Sequence, residues 1–209
     1  MTPVDYQELA RLGVATIYEA SGRQGLIDIR LHQIVPGSRA AGPARTVMCG
    51  QNDNLMVHAA LATVKPGEIL VVTMPEPAPV ALVGDLLATQ ALAQGVAGLL
   101  IDGAVRDVEE LRALGLPIWA RFIRVRGATK TETHALNTAV AVGGTLIRPG
   151  DVVVLDADGA VVITDERVLD VLETARAREA KETELRAQFK AGQFSIDAYE
   201  LRSKIESYL

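Results

Sequence analysis

Between Arg45 and Ala120 the chain alternates, three times over, between a short aliphatic run and a longer segment of helical spacing that stops at glycine or proline. Arg45–Cys49 reads as a strand, and Asn54–Val64 as a helix closed by Lys65-Pro66-Gly67. Ile69–Thr73 is the next strand and Asp85–Gln94 the next helix, ending at Gly95. Ala97–Ile101 and Asp107–Leu114 repeat the pair up to Gly115, and Pro117–Ala120 opens a further strand. Short crossovers of this kind imply parallel strands joined by right-handed connections.

The flanking regions read differently. Leu9, Leu12, Val14, Ile17 and Tyr18 approximate helical spacing, and Ser21-Gly22 ends that first helix. Beyond Arg121 the helix signals fade and Thr138–Val142 reads as a strand. Asp151–Leu155 and Ala160–Ile163 are β-branched strands around Asp156-Ala157-Asp158-Gly159, a hairpin signal. This region is expected to form an antiparallel layer packed on the parallel sheet. From Asp165 the chain turns helical and charged up to Ala191-Gly192, and a last helix, N-capped by Ser195, is expected to run through Leu201, Ile205 and Leu209. The division expected is a core of residues 1–164 and a helical extension of residues 165–209 that packs on a neighbouring subunit.

Composition limits the partners. The 209 residues suffice for one domain with an appendage, and 49% hydrophobic with 22% charged residues describes a globular chain. A net charge of −5 without a Lys/Arg-rich run argues against nucleic acid. Apolar stretches are interrupted well before a membrane span, and the start Met1-Thr2-Pro3-Val4-Asp5-Tyr6 lacks the basic and apolar regions of a signal peptide. A lone Cys49 rules out an internal disulfide and fits a reducing cytoplasm, so a cytoplasmic protein is expected.

The chemistry concentrates in two turns. Asp85, in Gly84-Asp85-Leu86-Leu87, is followed after twenty residues by Arg106-Asp107, in Asp102-Gly103-Ala104-Val105-Arg106-Asp107. Both are expected strand-to-helix turns at the carboxyl ends of strands, where open parallel sheets bind ligands. Free N–H groups in a helix's first turn can receive a carboxylate, and an arginine fork matches a carboxylate or enolate oxygen. Two acids with few nitrogen or sulfur donors suit Mg²⁺ or Mn²⁺. Each residue also has an ordinary structural use: an aspartate at a helix start caps it, and Arg106-Asp107 serves equally as a solvated ion pair. Taken alone, the spacing leaves both readings open.

The surrounding segments add a resemblance. Asp85…Arg106-Asp107 matches the Asp-X20-Arg-Asp signature of the class II pyruvate aldolases that cleave 4-hydroxy-4-methyl-2-oxoglutarate and 4-carboxy-4-hydroxy-2-oxoadipate. That family shares its fold with the regulator of ribonuclease activity A. Asp53-Asn54-Leu55-Met56-Val57-His58, Gly95–Gly98 and Arg148-Pro149-Gly150-Asp151-Val152-Val153 also resemble family segments, and the likeness extends from Leu12-Gly13-Val14-Ala15-Thr16 to the terminal helix. The resemblance implies an α/β fold with a three-layer β/β/α core, a parallel central sheet, an antiparallel layer and a C-terminal helical tail, assembled as a homotrimer or homohexamer. It implies that Asp107 holds a divalent metal, Mg²⁺ or Mn²⁺, partly through water. Arg106 would bind a keto-acid substrate and stabilise its enolate, Asp85 would orient metal-bound water or the arginine, and backbone N–H groups of Gly84, Asp85, Leu86 and Leu87 would receive the pyruvoyl carboxylate. A tail glutamate of a neighbouring subunit would reach the site: Glu182, with Glu184 and Glu179 as alternatives in register. The implied reaction is aldol cleavage to pyruvate plus a keto acid, with oxaloacetate decarboxylation through the same enolate.

Other residues are less committed. Asn54 and His58 lie one turn apart; Asn54 is a candidate to bind substrate, whereas His58 reads as an interior or interface histidine. His32 and His134 lack partners at zinc spacing. Arg121, Arg124 and Arg126 are expected to share one face of a strand, where one could receive the substrate's distal carboxylate. Lys130-Thr131-Glu132-Thr133-His134 departs from the family's usual Thr-Pro-Gly turn, which leaves the substrate's far end unassigned. Lys65 and Lys130 sit in turn-like segments away from the central motif, which argues against a Schiff base. The alternative function is a non-catalytic regulator of a ribonuclease E-type protein. A nucleotide- or methyl-donor enzyme is weaker, since no Gly-x-Gly-x-x-Gly follows a strand.

Overall fold

Strands buried on both faces organise the fold, which is described by a computed structural model covering residues 4–208. Residues 1–3, which begin the segment read for a signal peptide, and Leu209, the expected end of the last helix, lie outside the described residues. The chain opens with α1 (Tyr6–Ala20), followed by β1 (His32–Gln33) and β2 (Ala40–Met48). Next come α2 (Leu55–Leu61), β3 (Ile69–Thr73), β4 (Ala81–Val83), α3 (Asp85–Ala93), β5 (Gly98–Val105), α4 (Val108–Leu114) and β6 (Ile118–Ile123). The short strands β7 (Ala135–Leu136), β8 (Val140–Val142) and β9 (Thr145–Ile147) lead to the hairpin of β10 (Val152–Asp156) and β11 (Gly159–Ile163). The chain closes with α5 (Val168–Lys190), α6 (Ser195–Ala198) and α7 (Arg202–Ile205).

The main sheet runs β1-β6-β5-β3-β2-β10-β11, with β4 beside β5 and β7 beside β2. Its centre, β6-β5-β3-β2, is parallel, as the three crossovers require. The antiparallel part is continuous with it, because β2 changes partner along its length. Ala44–Met48 pairs with β3, whereas Ala40–Pro43 pairs with β10. The sheet thereby curls into a nearly closed, barrel-like form, with the β8–β9 hairpin beside it. In β3, Leu70 and Val72 face α2 and α3, while Ile69 and Val71 face Val153, Leu155 and the hairpin. Covered on both sides, such strands need unbroken apolar runs, which is what Ile69–Val72 and Val152–Leu155 provide.

The opposite face of β10–β11, with Val152, Val154, Val161 and Ile163, is closed by α1 and by Val168, Val171, Leu172 and Ala175 of α5. The first turns of the C-terminal extension therefore pack on their own chain. Beyond Ala175 no residue of α5 is buried. The extension's last part departs from expectation: Phe194 rather than Ser195 is the N-cap of α6, and the helix breaks at Glu200, whose φ is 55°. The sequence 195–208 has too few apolar residues in register to hold one helix together, and it divides into α6, α7 and a terminal 3₁₀ turn.

Two polar contacts fix the segments around this frame. Gly13 interrupts α1 with φ 82° and ψ 165°, and the helix restarts at Val14, whose N–H donates to the buried Asp156 carboxylate at 2.9 Å. Asp156 also takes the Asp158 N–H inside the hairpin turn, so a single side chain ties α1 to β10–β11. Asp53, fully buried, similarly gathers a loop. It accepts from Thr131 N at 2.6 Å, Leu55 N at 2.8 Å, the Thr129 hydroxyl at 2.8 Å and Glu132 N at 3.3 Å. Burial alone would raise its pKa, but these donors favour the charged form and hold it down to about 2.

A Cβ at Gly13 would stand 2.7 Å from Asp156 Oδ2 in a left-handed backbone. Gly13→Ala is therefore expected to lower stability by about 1–3 kcal/mol, read from urea unfolding. Because the Asp53 pKa is depressed on folding, its contribution is fully present above pH 4 or so and is lost as pH falls toward 2. The stability gap between wild type and Asp53→Asn should accordingly narrow over that window; a gap constant from pH 5 to pH 2.5 would refute this role.

Candidate functional site

The site is assembled by a strand that the alternation did not predict. Ala81–Val83, only two residues beyond Pro79, continues the line of β3 along β5, with Val83 opposite Val105. The Arg106 N–H donates to Val83 O at 3.2 Å, so the two turns that follow, Gly84-Asp85 and Arg106-Asp107, lie side by side at the carboxyl ends of neighbouring strands. The Asp107 carboxylate accepts from Asp85 N at 3.2 Å and stands 3.5 Å from Arg106 Nε. Gly84 leaves room for this crossing: a Cβ there would press on the Asp107 carboxylate and on Arg106 Nε, so the two functional side chains would have to shift.

Asp85 begins α3, as expected. Asp107 does not belong to the first turn of α4; it is the N-cap residue, held at φ 59° and ψ 44°. A non-glycine residue in the left-handed region carries strain that aspartate tolerates better than most, and such residues cluster at functional sites. Here the conformation sends the carboxylate across to the start of α3 rather than onto its own helix.

A cavity of about 230 Å³ opens beside this crossing. One wall is the start of α3, with Gly84, Asp85, Leu86, Leu87 and Gln90; Arg106 forms another. The first-turn N–H groups of Leu86 and Leu87 have no intrahelical acceptor, which leaves them available to an anion. Asp107, beside Arg106, is not among the lining residues. The third wall comes from α2, with Asn54 and His58. Asn54 Nδ2 donates to Leu82 O at 2.8 Å, but Asn54 Oδ1 and His58 Nε2 are buried without a partner. His58, read from sequence as an interior or interface histidine, lines the cavity, and its Nε2 is buried without a partner. A second, wider cavity of about 690 Å³ lies at the amino ends of β3 and β5, beside Asp5, Tyr6 and Arg39, away from these groups.

Several further residues alter the expectations. Lys130, set aside as remote from the central motif, lines the cavity together with Ala128. Conversely, the three arginines do not share a strand face, because β6 ends at Ile123. Arg121 is paired with Asp102 at 3.0 Å, and Arg124 donates to Ile123 O. Asp102 is buried, which raises its pKa, with the Arg121 guanidinium acting in the opposite sense. Gln90 was missed as well, although it lies one helical turn from Leu86 and so on the same face.

Glu182 does not line the cavity of its own chain. It stands on the exposed part of α5, 2.9 Å from Arg178 one turn earlier. Glu179 is committed within the chain to a bidentate pair with Arg11 of α1, at 2.6 and 2.8 Å. No cluster of three or more His, Cys, Asp or Glu side chains placed to hold a metal occurs among the described residues. Asp107, about one-third exposed beside Asp85, instead offers the one-carboxylate platform on which Mg²⁺ usually keeps several waters.

The same segments are found in known proteins. The RraA-like family, described as Aldolase/RraA, matches residues 14–162. Over 161 residues the chain is 34% identical to a Halalkalibacterium halodurans protein provisionally named a 4-hydroxy-4-methyl-2-oxoglutarate aldolase, covering 77% of each. Among solved structures it resembles Streptomyces coelicolor RraAS2, described as an unusual member of the RNase ES inhibitor RraA family. Identity is 32%, coverage 88% of this chain and 96% of that one, and the TM-score 0.78. An uncharacterized protein from Pseudomonas syringae pv. tomato superposes with a TM-score of 0.79 at 27% identity, over 93% of this chain and 97% of that one. The matched stretch runs from the restart of α1 through both crossing turns to β11, and the chain belongs to the RraA-like Aldolase/RraA family.

Proposed function

We propose that this protein is a divalent-metal-dependent lyase that cleaves 4-hydroxy-2-oxo acids, such as 4-hydroxy-4-methyl-2-oxoglutarate and 4-carboxy-4-hydroxy-2-oxoadipate, to pyruvate and a second keto acid. Oxaloacetate decarboxylation accompanies it. The observation that carries this reading is the crossing of Arg106 and Asp107 with the start of α3 at the edge of a small cavity. The Halalkalibacterium relative's name supports the aldolase branch.

The 2-oxo acid enters with its carboxylate at the first-turn N–H groups of α3 and its keto oxygen at the Arg106 guanidinium. Asp85 accepts the proton of the C4 hydroxyl, directly or through water. The electrons of that O–H bond form the new C4 carbonyl, and those of the C3–C4 bond move to give the enolate of pyruvate. Arg106 holds the charge that develops on the enolate oxygen, the kind of stabilisation that usually dominates such reactions. A proton returned to C3 yields pyruvate. Oxaloacetate reaches the same enolate by losing carbon dioxide. Asp107 would hold Mg²⁺ or Mn²⁺, which supplies further positive charge to the developing enolate. Asn54 and His58 line the cavity, and Asn54 Oδ1 and His58 Nε2 are buried there without partners, so a small shift of either side chain would offer a polar group to substrate or water.

Assembly completes the reading. Leu86 at the cavity's edge is 79% exposed and Val125, one residue before Arg126, 88% exposed. In the tail, Phe194, Tyr199 and Tyr208 are also exposed. Such apolar surface near a polar cavity supports burial against another copy, as a homotrimer or homohexamer, with Glu182 from the neighbour's α5 joining the site. Glu179 is less suited, being paired to Arg11. The likeness to RraAS2 favours a second reading, inhibition of a ribonuclease by protein contact.

Pyruvate release from oxaloacetate and from the two aldol substrates is expected in Mg²⁺ or Mn²⁺, and is expected to disappear with excess chelator. Arg106→Ala and Asp107→Ala should each reduce it by roughly 100-fold or more. Undiminished release in chelator or in either variant would refute the mechanism, and no release by wild type under any condition would favour the inhibitor reading. Mixing Glu182→Ala with Arg106→Ala subunits should restore part of the activity, since some sites then combine an intact arginine with an intact glutamate. Mixed oligomers that stay inactive would exclude a shared site.

A further inference from the structure

The cavity contains a second cation that neither the crossing turns nor the enolate requires. Lys130 lines it with Arg106, and among the described residues Lys130 pairs with no carboxylate. Its backbone is anchored on both sides. Thr129 N donates to Asn52 O at 3.0 Å and Asn54 N to Thr129 O at 2.9 Å. The Thr129 and Thr131 hydroxyls and the Thr131 N–H all turn to the buried Asp53 carboxylate. Lys130 sits at a bend between Thr129 and Thr131, both drawn to Asp53, and it lines the cavity. The segment's earlier end lies against the arginine, since a Cβ at Gly127 would stand 3.0 Å from Arg106 Nη1.

We propose that Lys130 is the specificity-determining residue that receives the carboxylate on the far side of the bond being broken, and that Asp53 is the positioning residue that holds it there. The inference rests on the keto-acid reading above. A 2-oxo diacid presents two carboxylates. The one next to the keto group is met by the start of α3 and Arg106, so the distal one needs a separate donor. None of Arg121, Arg124 and Arg126 lines the cavity; Arg121 is besides paired with Asp102, and Arg124 is turned to Ile123 O. Lys130 is the cation remaining at the cavity, carried on a segment whose register is set by a side chain buried on α2's amino side.

The test compares two acids that the retro-aldol step cannot cleave, by calorimetric titration in Mg²⁺. Pyruvate lacks a distal carboxylate; 2-oxoglutarate has one but lacks the 4-hydroxyl. Wild type is expected to bind 2-oxoglutarate more tightly than pyruvate. Lys130→Met should weaken 2-oxoglutarate by about 10-fold or more while pyruvate stays within about 2-fold, and Lys130→Arg should keep most of the preference. Asp53→Asn should reproduce the selective loss, with faster amide exchange at Thr131 and Glu132, and its effect should not add to that of Lys130→Met. If Asp53→Asn does not fold, Thr131→Val removes one donor and should give a smaller loss of the same selectivity. Equal weakening of both acids, or an unchanged preference in Lys130→Met, overturns this inference and leaves the keto-acid reading intact. Failure of wild type to bind either acid overturns both.

Discussion

The parallel pairing of β4 with β5 is the interaction on which the site depends. Its register, Val83 opposite Val105, makes two turns twenty residues apart into neighbours. Without it, Asp85 would cap one helix and Asp107 another. With it, Asp107 reaches the Asp85 N–H, and Arg106 stands where its guanidinium borders a cavity opening on the start of α3. The crossing is close enough that a Cβ at position 84 would push on the side chains of Asp107 and Arg106. The same ladder explains why Asp107 can hold a left-handed backbone: the Asp85 N–H and the Arg106 guanidinium compensate the strain with two contacts to its carboxylate.

Around this crossing, buried carboxylates hold the connecting segments in place. Asp156 restarts α1 beside Gly13 and closes the β10–β11 turn, while Asp53 draws the segment after β6 back onto the amino end of α2. Each carries several donors, which is how a charged group is tolerated in a protein interior. The result is a polar cavity whose walls come from the start of α3, from α2 and from an irregular segment. Asp53 connects the last two.

Much of the frame was legible because strands covered on both faces must be continuously apolar. Ile69–Thr73 is found as read, α3 and α4 lie within a residue of their expected bounds, and the hairpin forms at Asp156–Gly159. β4 was not legible: three residues after a proline-rich stretch carry no periodicity, and they become a strand only because β5 offers free backbone groups. The break at Glu200 was hidden for a related reason. The spacing of Leu201 and Ile205 permits a helix, but too little buried area exists to enforce one.

The sequence by itself determined the alternation of strands and helices, the parallel direction of the central sheet, the helix starts at Asp85 and after Arg106, and the family to which those segments belong. Tertiary structure alone decided which groups meet. It brought Lys130 and His58 to the cavity, removed Arg121 by pairing it with Asp102, and committed Glu179 to Arg11 while leaving Glu182 on an exposed helix. The physical reason is the range of the signals. Periodicity and capping are local and can be read along the chain. The ladder between β4 and β5 and the bonds converging on Asp53 join segments far apart in sequence, and exist only once the sheet has assembled.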